Sequence, residues 1–297
     1  MLKSVLAISI TIAIFYIIFS KIDFWSVVEV LSHANLFFLF VALLLMITYL
    51  SITAKRWQTI LETMDYKLQY KECFYVMMGA QPIASITPSK SGDIAKAYYL
   101  RDNIPVSKTI GSILTERMFD FFTLLLFFLI GTLFSKRYEL FVIALVILTC
   151  IIAIFSPIYA GFSFHLPMKP SWNEKIQNLT LSMKLVAKDK KVVSTVMFYS
   201  FSFWFLSVVQ ILTFFYALGI NIPLAFAMAN IPIVIFIGYI PITLGGMGTR
   251  DAAIVFLFSD YAEPSILLGV GILFSVFRYL LPSLLGIPFM RKAGIHK

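Results

Sequence analysis

Long apolar stretches separated by short polar segments are the main pattern of this sequence. Six of them are long enough to cross a bilayer, since a membrane-spanning helix needs about 20 mostly apolar residues. They cover residues 2–20, 35–54, 106–134, 138–160, 193–219 and 264–290. Two further apolar stretches, 72–102 and 224–258, contain Pro and Gly near their centres. Because these residues interrupt helices, the pattern indicates two broken helices.

The composition places these stretches in a membrane. Hydrophobic residues make up 60% of the chain and charged residues 13%, whereas soluble domains carry about 25% charged residues. The sequence therefore predicts an all-α polytopic membrane protein, with residues 1–297 forming a single transmembrane domain. The two Cys and three His residues are scattered, so we predict no metal site.

The basic residues predict an orientation. If the N-terminus is cytoplasmic and both interrupted stretches return to the side from which they entered, most of the 24 Lys and Arg residues face the cytoplasm. These include Lys55 and Arg56, which we assign to a cytoplasmic segment after the second span. The excess of positive charge on one side favours this arrangement over its reverse. Both termini are then predicted to be cytoplasmic.

The two halves of the chain repeat the same order of elements. Each reads span, span, broken hairpin, span, and the second half begins on the opposite face of the membrane. This order predicts an inverted-topology repeat with about six full spans and two re-entrant hairpins. The first repeat covers residues 1–134 and the second 138–291. Many transporters are built this way, with a binding site near the membrane midplane.

The two breaks supply candidate anion-binding residues. Irregular backbone at membrane depth persists only where it is buried in protein or lines a wet cavity, and helix N-termini favour anions. We predict half-helices that begin near Ser91 and Thr249, with these two residues as caps. The candidate residues for binding a phosphate or lipid headgroup are Lys90, Ser91, Gly92, Arg117, Gly245, Gly246, Thr249, Arg250 and Arg278.

Acidic residues accompany these cations. The candidates for charge balance or proton coupling are Asp93, Glu116, Asp120 and Asp251. Charges inside a membrane are usually functional, but structural alternatives stay open. Arg117 and Arg278 are alternatively partners in ion pairs that hold helices in register, and Lys90 is alternatively a snorkelling surface residue. The Gly residues are alternatively sites of tight helix packing, and the two Asp residues at the breaks are alternatively helix caps.

Four motifs in order carry a resemblance to a known family. They are Pro-Ser-Lys-Ser-Gly-Asp at 88–93, Ala-Tyr-Tyr-Leu-Arg at 97–101, Glu-Arg-x-x-Asp at 116–120, and the Pro-, Gly- and Arg-Asp-containing segment 241–251. With these motifs the chain resembles the membrane domain of the lysylphosphatidylglycerol synthase/flippase family, in its stand-alone flippase-like form. Ser89 stands where the family usually has Gly, and Asp93 and Asp251 where it usually has Glu. Shorter acids at both breaks suggest a shifted pocket, so we do not carry the family's substrate over.

The resemblance implies lipid translocation. Together with the anion site, it predicts a flippase that moves a phosphate-bearing lipid between leaflets: an aminoacylated phospholipid, a polyprenyl phosphate or a polyprenyl-linked sugar. It also implies the plasma membrane of a prokaryote. Two alternatives stay open, a membrane-embedded transferase using a lipid-phosphate donor and a non-transporting scaffold for glycosyltransferases. The chain has no counterpart of the family's soluble aminoacyl-transferring domain, so we expect a transporter rather than an enzyme.

The expected partners follow from the same interpretation. They are membrane lipids with an anionic headgroup, and glycosyltransferases or lipid synthases as candidate protein partners. We expect no cofactor and no nucleic acid. The oligomeric state stays open, with a dimer among the alternatives.

Overall fold

The computed structural model describes residues 2–87, 91–159, 170–240, 242–243 and 245–293, and the regular structure in these residues is entirely helical. The helices in chain order are α1 (Leu2–Lys21), α2 (Phe24–Ser32), α3 (Leu36–Glu62), α4 (Tyr70–Ser85), α5 (Ala95–Tyr99), α6 (Val106–Phe134), α7 (Tyr138–Tyr159), α8 (Pro170–Lys188), α9 (Lys190–Ala217), α10 (Leu224–Tyr239), α11 (Thr249–Leu257), α12 (Pro264–Ser275) and α13 (Leu281–Ala293). A 3-10 helix, Ser91–Ile94, precedes α5, and a π-helical turn, Val276–Leu280, joins α12 to α13. The prediction of an all-α protein is confirmed.

Four elements are long and apolar enough to cross a membrane: α3, α6, α9 and the continuous segment Pro264–Ala293. A fifth is formed by Ser9–Lys21 together with α2, although this pair is bent by 88°. In the described residues, the apolar segment Tyr138–Ala153 of α7 and helix α10 are shorter than a full span. The structure thus supports four or five spans by length and composition, and the predicted six stay a prediction.

Large apolar side chains cover the outer faces of these helices. Leu36, Phe198 and Phe256 are exposed by 78%, 66% and 79%. Extended apolar surface of this kind is unfavourable in water, whereas hydrocarbon chains solvate it without penalty. The exposed surface therefore agrees with a membrane location.

Both interrupted stretches are broken, as predicted, but the first break differs from the prediction. Ser91 begins a 3-10 helix of four residues followed by the five-residue α5, not an α-helical half-helix. The amide of Gly92 donates to Thr87 Oγ1 at 2.7 Å, and a Cβ at Gly92 would lie 2.5 Å from the Ile83 carbonyl oxygen. The chain therefore folds back tightly against α4, which leaves no room for a regular helical turn.

The predicted caps are also wrong. Ser91 and Thr249 are the first residues of their helices rather than caps. Gly248 precedes α11, and its amide donates to Asp251 Oδ2 at 2.8 Å. The capping alternative for Asp251 is therefore the one observed, because its carboxylate satisfies a free N–H at the helix start.

Helix packing joins the two halves reciprocally. Helices α3 and α9, which contain the second predicted span of each half, pack on each other. Helix α4 of the first half packs on α13, and α10 of the second half packs on α6. Helix α2 likewise packs on α12, and α8 packs on α6. Each of these pairs joins one element from each half of the chain.

A close backbone contact joins α4 to α13. A Cβ at Gly286 would lie 2.4 Å from the carbonyl oxygen of Met78. Pro82 follows four residues after Met78 and lacks an N–H, so this carbonyl has no helical donor. Gly286 thus lets α13 approach α4 closely at the turn that Pro82 of α4 loosens.

The same arrangement joins α6 to α10. A Cβ at Gly131 would lie 2.2 Å from the amide nitrogen of Ala229 and 2.5 Å from the carbonyl carbon of Met228. Pro232 stands four residues after Met228 inside α10. The two halves therefore share a Met–Pro spacing on the hairpin helix and a facing glycine on the long helix of the other half.

Candidate functional site

A buried network of charged side chains lies where α3, α6 and α9 meet. Arg56 of α3 donates from Nη1 to Asp120 Oδ1 at 2.5 Å and to Ser200 Oγ at 2.9 Å. Its Nε and Nη2 both donate to Glu116 Oε1 at 3.3 Å. Glu116 and Asp120 lie on one face of α6, as their spacing of four residues requires. Arg56 is the cation that holds the two carboxylates together.

Two further donors complete this network. Lys96 of α5 donates to Glu116 Oε2 at 3.3 Å, and its Nζ lies 5.0 Å from the ring centroid of Trp57. The indole Nε1 of Trp204, on α9, donates to Asp120 Oδ1 at 3.0 Å. Each carboxylate therefore has at least two donors from different helices, as buried charges require.

Arg117 links the first break to α6. Its Nη2 donates to Asp93 Oδ2, and its Nη1 lies 3.7 Å from Asp120 Oδ2. The guanidinium also lies 5.9 Å from the ring centroid of Tyr239. The side chain of Arg117 is 36% exposed, whereas that of Arg56 is 3% exposed. The ion-pair alternative is therefore observed for Arg117, although its side chain is more accessible than that of Arg56.

Arg278 differs from these cations because no carboxylate in the described part of the chain forms an ion pair with it. Aromatic rings surround it instead. Its Cζ lies 4.7 Å from the ring centroid of Phe203, 4.8 Å from that of Tyr49 and 5.6 Å from that of Trp204. Arg278 is only 7% exposed. The ion-pair alternative is therefore not observed for this residue.

The backbone that carries Arg278 is irregular. Arg278 lies within the π-helical turn Val276–Leu280. Pro282 stands four residues further on, where its ring would clash with the Arg278 carbonyl in a regular α-helix. The wider turn relieves that clash, and π-turns inside helices are frequent at functional sites.

The charged groups line one cavity with a volume of about 50 Å³. Its charged lining residues are Arg56, Asp93, Lys96, Glu116, Arg117, Asp120 and Arg278. Three of these cations and the three carboxylates form the ion pairs described above, so Arg278 supplies one positive charge in excess. The volume suffices for a few water molecules, since one water needs roughly 10–15 Å³. We call this space the charged cavity.

The second break contributes a separate buried pair. Arg250 is 1% exposed and Asp251 is fully buried. Arg250 Nη2 donates to Asp251 Oδ1 at 3.2 Å and to Ser275 Oγ at 2.5 Å, and Nη1 donates to the Gly245 carbonyl at 3.4 Å. Its Nε has no partner among the described residues. Arg250 is thus buried inside the protein.

The glycines of this break serve a tight turn and close packing. Gly245, Gly246 and Gly248 have φ values of +56°, +77° and +85°, which favour glycine. A Cβ at Gly246 would lie 2.5 Å from the Cα of Gly238. Thr249 Oγ1 lies 3.1 Å from Thr243 Oγ1. The packing alternative is therefore observed at Gly246.

The predicted site residues are brought together in part. Arg117, Asp93, Glu116, Asp120 and Arg278 all line the charged cavity. Arg250 lines a second cavity, which also contains Arg278. Gly92 contributes its backbone to the first break. Lys90 and the side chain of Ser91 lie outside the described residues.

Sequence reasoning missed Arg56, Lys96 and Trp204. Arg56 was counted among the charges of a cytoplasmic segment, but α3 continues to Glu62 without a break and buries this side chain inside the protein. Trp57, Ile60 and Leu61 follow Arg56 at helical spacing, and that continuity was the available signal. The Trp204 contact has no signal in the sequence, because it depends on how α9 packs on α6.

Membrane-length helices, two broken stretches and a buried charged cavity define a polytopic α-helical membrane protein with an internal polar site. The family model described as the lysylphosphatidylglycerol synthase TM region matches residues 4–286. The chain therefore belongs to this family of membrane proteins, and the resemblance of the sequence motifs is confirmed.

Relatives of the chain occur in archaea. It is 25% identical over 313 residues to the UPF0104 membrane protein MJ1595 of Methanocaldococcus jannaschii, covering 96% of this chain and 93% of that protein. It is 24% identical over 308 residues to a UPF0104 membrane protein of Archaeoglobus fulgidus, covering 93% and 91% of the two chains. These names describe membrane proteins and state no activity.

Proposed function

We propose that the protein is a lipid flippase that moves a phosphate-bearing lipid between the leaflets of a prokaryotic plasma membrane, with both termini in the cytoplasm. The headgroup enters the charged cavity, and its phosphate is held by Arg278 and by Arg117. The single observation that carries the proposal is the excess positive charge of Arg278 in a buried cavity. A charge at this depth costs about 3 kcal/mol or more, and an anionic headgroup would neutralise it.

The reciprocal packing supports an inverted-topology repeat. The two facing glycines, Gly131 and Gly286, each approach a helix at the turn loosened by its proline. An inverted repeat produces such matched contacts, because each half supplies the same parts to the other. Transporters with this plan alternate access by moving one half against the other around a central site.

An apolar cavity that meets the second, Arg250-lined cavity at Tyr279 supports a lipid rather than a water-soluble anion. It has a volume of about 570 Å³, and Phe15, Ile86, Leu280 and Leu284 are among its lining residues. Ser275, which accepts a hydrogen bond from Arg250, also lines it. Hydrocarbon chains would lie in this cavity while the polar headgroup reaches the arginines.

The charged cavity must widen during transport. At about 50 Å³ it accommodates a few water molecules but not a lipid headgroup. The structure therefore corresponds to a closed conformation in the proposed cycle. The accessible side of the cavity is marked by Arg117, the most exposed of its cations.

The test is lipid movement in liposomes that contain the purified protein. Labelled lipids would include phosphatidylglycerol, an aminoacylated phosphatidylglycerol, a polyprenyl phosphate and a zwitterionic control. We expect Arg278→Gln to slow movement of the transported lipid by about tenfold or more, since a hydrogen bond to a charged group contributes about 1.5–3 kcal/mol. Arg278→Lys keeps the charge but loses the planar fork, so we expect an intermediate rate.

The matched control is Arg291→Gln, which removes the same charge from an exposed position near the end of α13. It should move lipid at the wild-type rate. The proposal fails if the wild-type protein moves none of these lipids. It also fails if Arg278→Gln, folded as judged by its melting temperature, matches the wild-type rate.

A further inference from the structure

A second, smaller cavity lies next to the charged cavity and holds two arginines. Its volume is about 20 Å³. Its lining residues include Trp204, Tyr239, Arg250, Phe274, Arg278 and Tyr279. The volume fits one monoatomic ion or one water molecule, since one water needs roughly 10–15 Å³. We call this space the arginine pocket.

The arginine pocket has an unbalanced charge. Arg250 forms an ion pair with Asp251 at 3.2 Å, whereas Arg278 has no carboxylate partner among the described residues. The pocket thus has two guanidinium groups, and only one of them is paired with a carboxylate. Both arginines are at most 7% exposed. An uncompensated buried charge is costly, so a monovalent anion at this position would be stabilising.

The hydrogen bonding of Arg250 also indicates that the arginine pocket holds a ligand. Its Nε is buried and has no partner in the described part of the chain, although buried donors are nearly always paired. The rings of Phe274 and Tyr279 lie 4.2 and 5.3 Å from its Cζ. Ring faces attract the cation, but they offer no acceptor to an N–H in the guanidinium plane. An acceptor inside the pocket would satisfy this donor.

We propose that the arginine pocket is a binding site for a small monoatomic anion, which is chloride under physiological conditions. A water molecule would satisfy the Nε donor but would leave the excess charge in place. A phosphate with its organic substituents exceeds the volume of the pocket. Arg278 lines both this pocket and the charged cavity, so the chloride neutralises its charge while no headgroup is bound. Chloride binding in this state does not depend on lipid transport.

The first test measures the melting temperature of the purified wild-type protein while chloride replaces gluconate at constant ionic strength. A ligand that binds only the folded state raises the melting temperature in a saturable manner. We expect chloride and bromide to do so and the larger gluconate and sulfate not to. Arg250→Gln and Arg278→Gln should abolish the chloride dependence, whereas Arg101→Gln, at a 43% exposed side chain, should keep it.

The second test covers the case in which an arginine variant does not fold. A structure of the wild-type protein in bromide should show an anomalous-scattering peak within hydrogen-bonding distance of Arg250 Nε. An ordered water at this position, or a melting temperature that is independent of chloride, would overturn the proposal. Both readouts are blind to lipid movement, so they distinguish a failure of this site from a failure of the proposed function.

Discussion

Replacing Arg56 with Met removes the central cation of the buried network and keeps an unbranched side chain in its place. Arg56 is 2% exposed and donates to two carboxylates, at 2.5 Å to Asp120 and at 3.3 Å to Glu116. Removing one partner of a buried ion pair costs about 3–5 kcal/mol, because the remaining charge is left uncompensated. We therefore expect Arg56→Met to lower the free energy of unfolding substantially.

The structure sets the expected loss near the lower end of this range. Asp120 would keep the Trp204 indole as a donor at 3.0 Å. Glu116 would keep Lys96 at 3.3 Å. Because neither carboxylate is left without a partner, we expect a loss of about 3 kcal/mol. Neutralising Asp120 as well, in Arg56→Met/Asp120→Asn, should lower the free energy of unfolding by about 1–3 kcal/mol less than the sum of the two single changes.

The assay is equilibrium unfolding in mixed micelles with increasing dodecyl sulfate, followed by circular dichroism. Arg101→Met is the matched control, because Arg101 pairs with Asp102 at 3.7 Å with side chains 43% and 63% exposed. Exposed pairs contribute up to about 1 kcal/mol, so this variant should stay within that limit. The reasoning is refuted if Arg56→Met costs no more than Arg101→Met, or if the two network changes are additive.

Two further changes test individual contacts by the same unfolding measurement. Trp204→Phe keeps an aromatic ring, although a smaller one, and removes the donor to Asp120, so we expect the free energy of unfolding to fall by about 1.5–3 kcal/mol. An unchanged stability would show that the indole contact contributes nothing. In Gly246→Ala the new Cβ would lie 2.5 Å from the Cα of Gly238, at a residue whose φ is +77°. Gly219 is the control, because its φ is similar, +81°, and a Cβ there would meet no atom within 4 Å. Gly219→Ala should show only the conformational cost of roughly 1–2 kcal/mol, and Gly246→Ala should be clearly less stable than that. Equal stabilities of the two Ala variants would contradict the close packing at Gly246.

The sequence by itself determined the protein class and the positions of the breaks. The hydropathy of a stretch depends only on its own residues and not on what it packs against. Long apolar stretches could therefore be predicted correctly as helices. Pro88 and the glycines near 245 act on the backbone of their own turn, so they predict interruptions locally. Glu116 and Asp120 were predicted to share a face because helix geometry alone places residues four apart together.

Other features depended on contacts that no local pattern encodes. The helix after Ser91 is a 3-10 turn because Gly92 folds against Ile83 of the preceding helix. Arg56 was assigned to a cytoplasmic segment by a rule that counts charges in loops, but α3 continues past it and three helices close around it. Whether a charge near a helix end faces the cytoplasm or the protein interior depends on those neighbours.

The partners of the intramembrane arginines were decided by tertiary structure alone. Arg117 and Arg278 each lie inside a long apolar span, and the sequence left the same ion-pair alternative open for both. Only packing gives Arg117 a carboxylate from the first break and surrounds Arg278 with aromatic rings. The pairing of a charge depends on residues that are distant along the chain, because Coulomb and hydrogen-bond interactions act over a few ångströms of space whatever the separation in sequence.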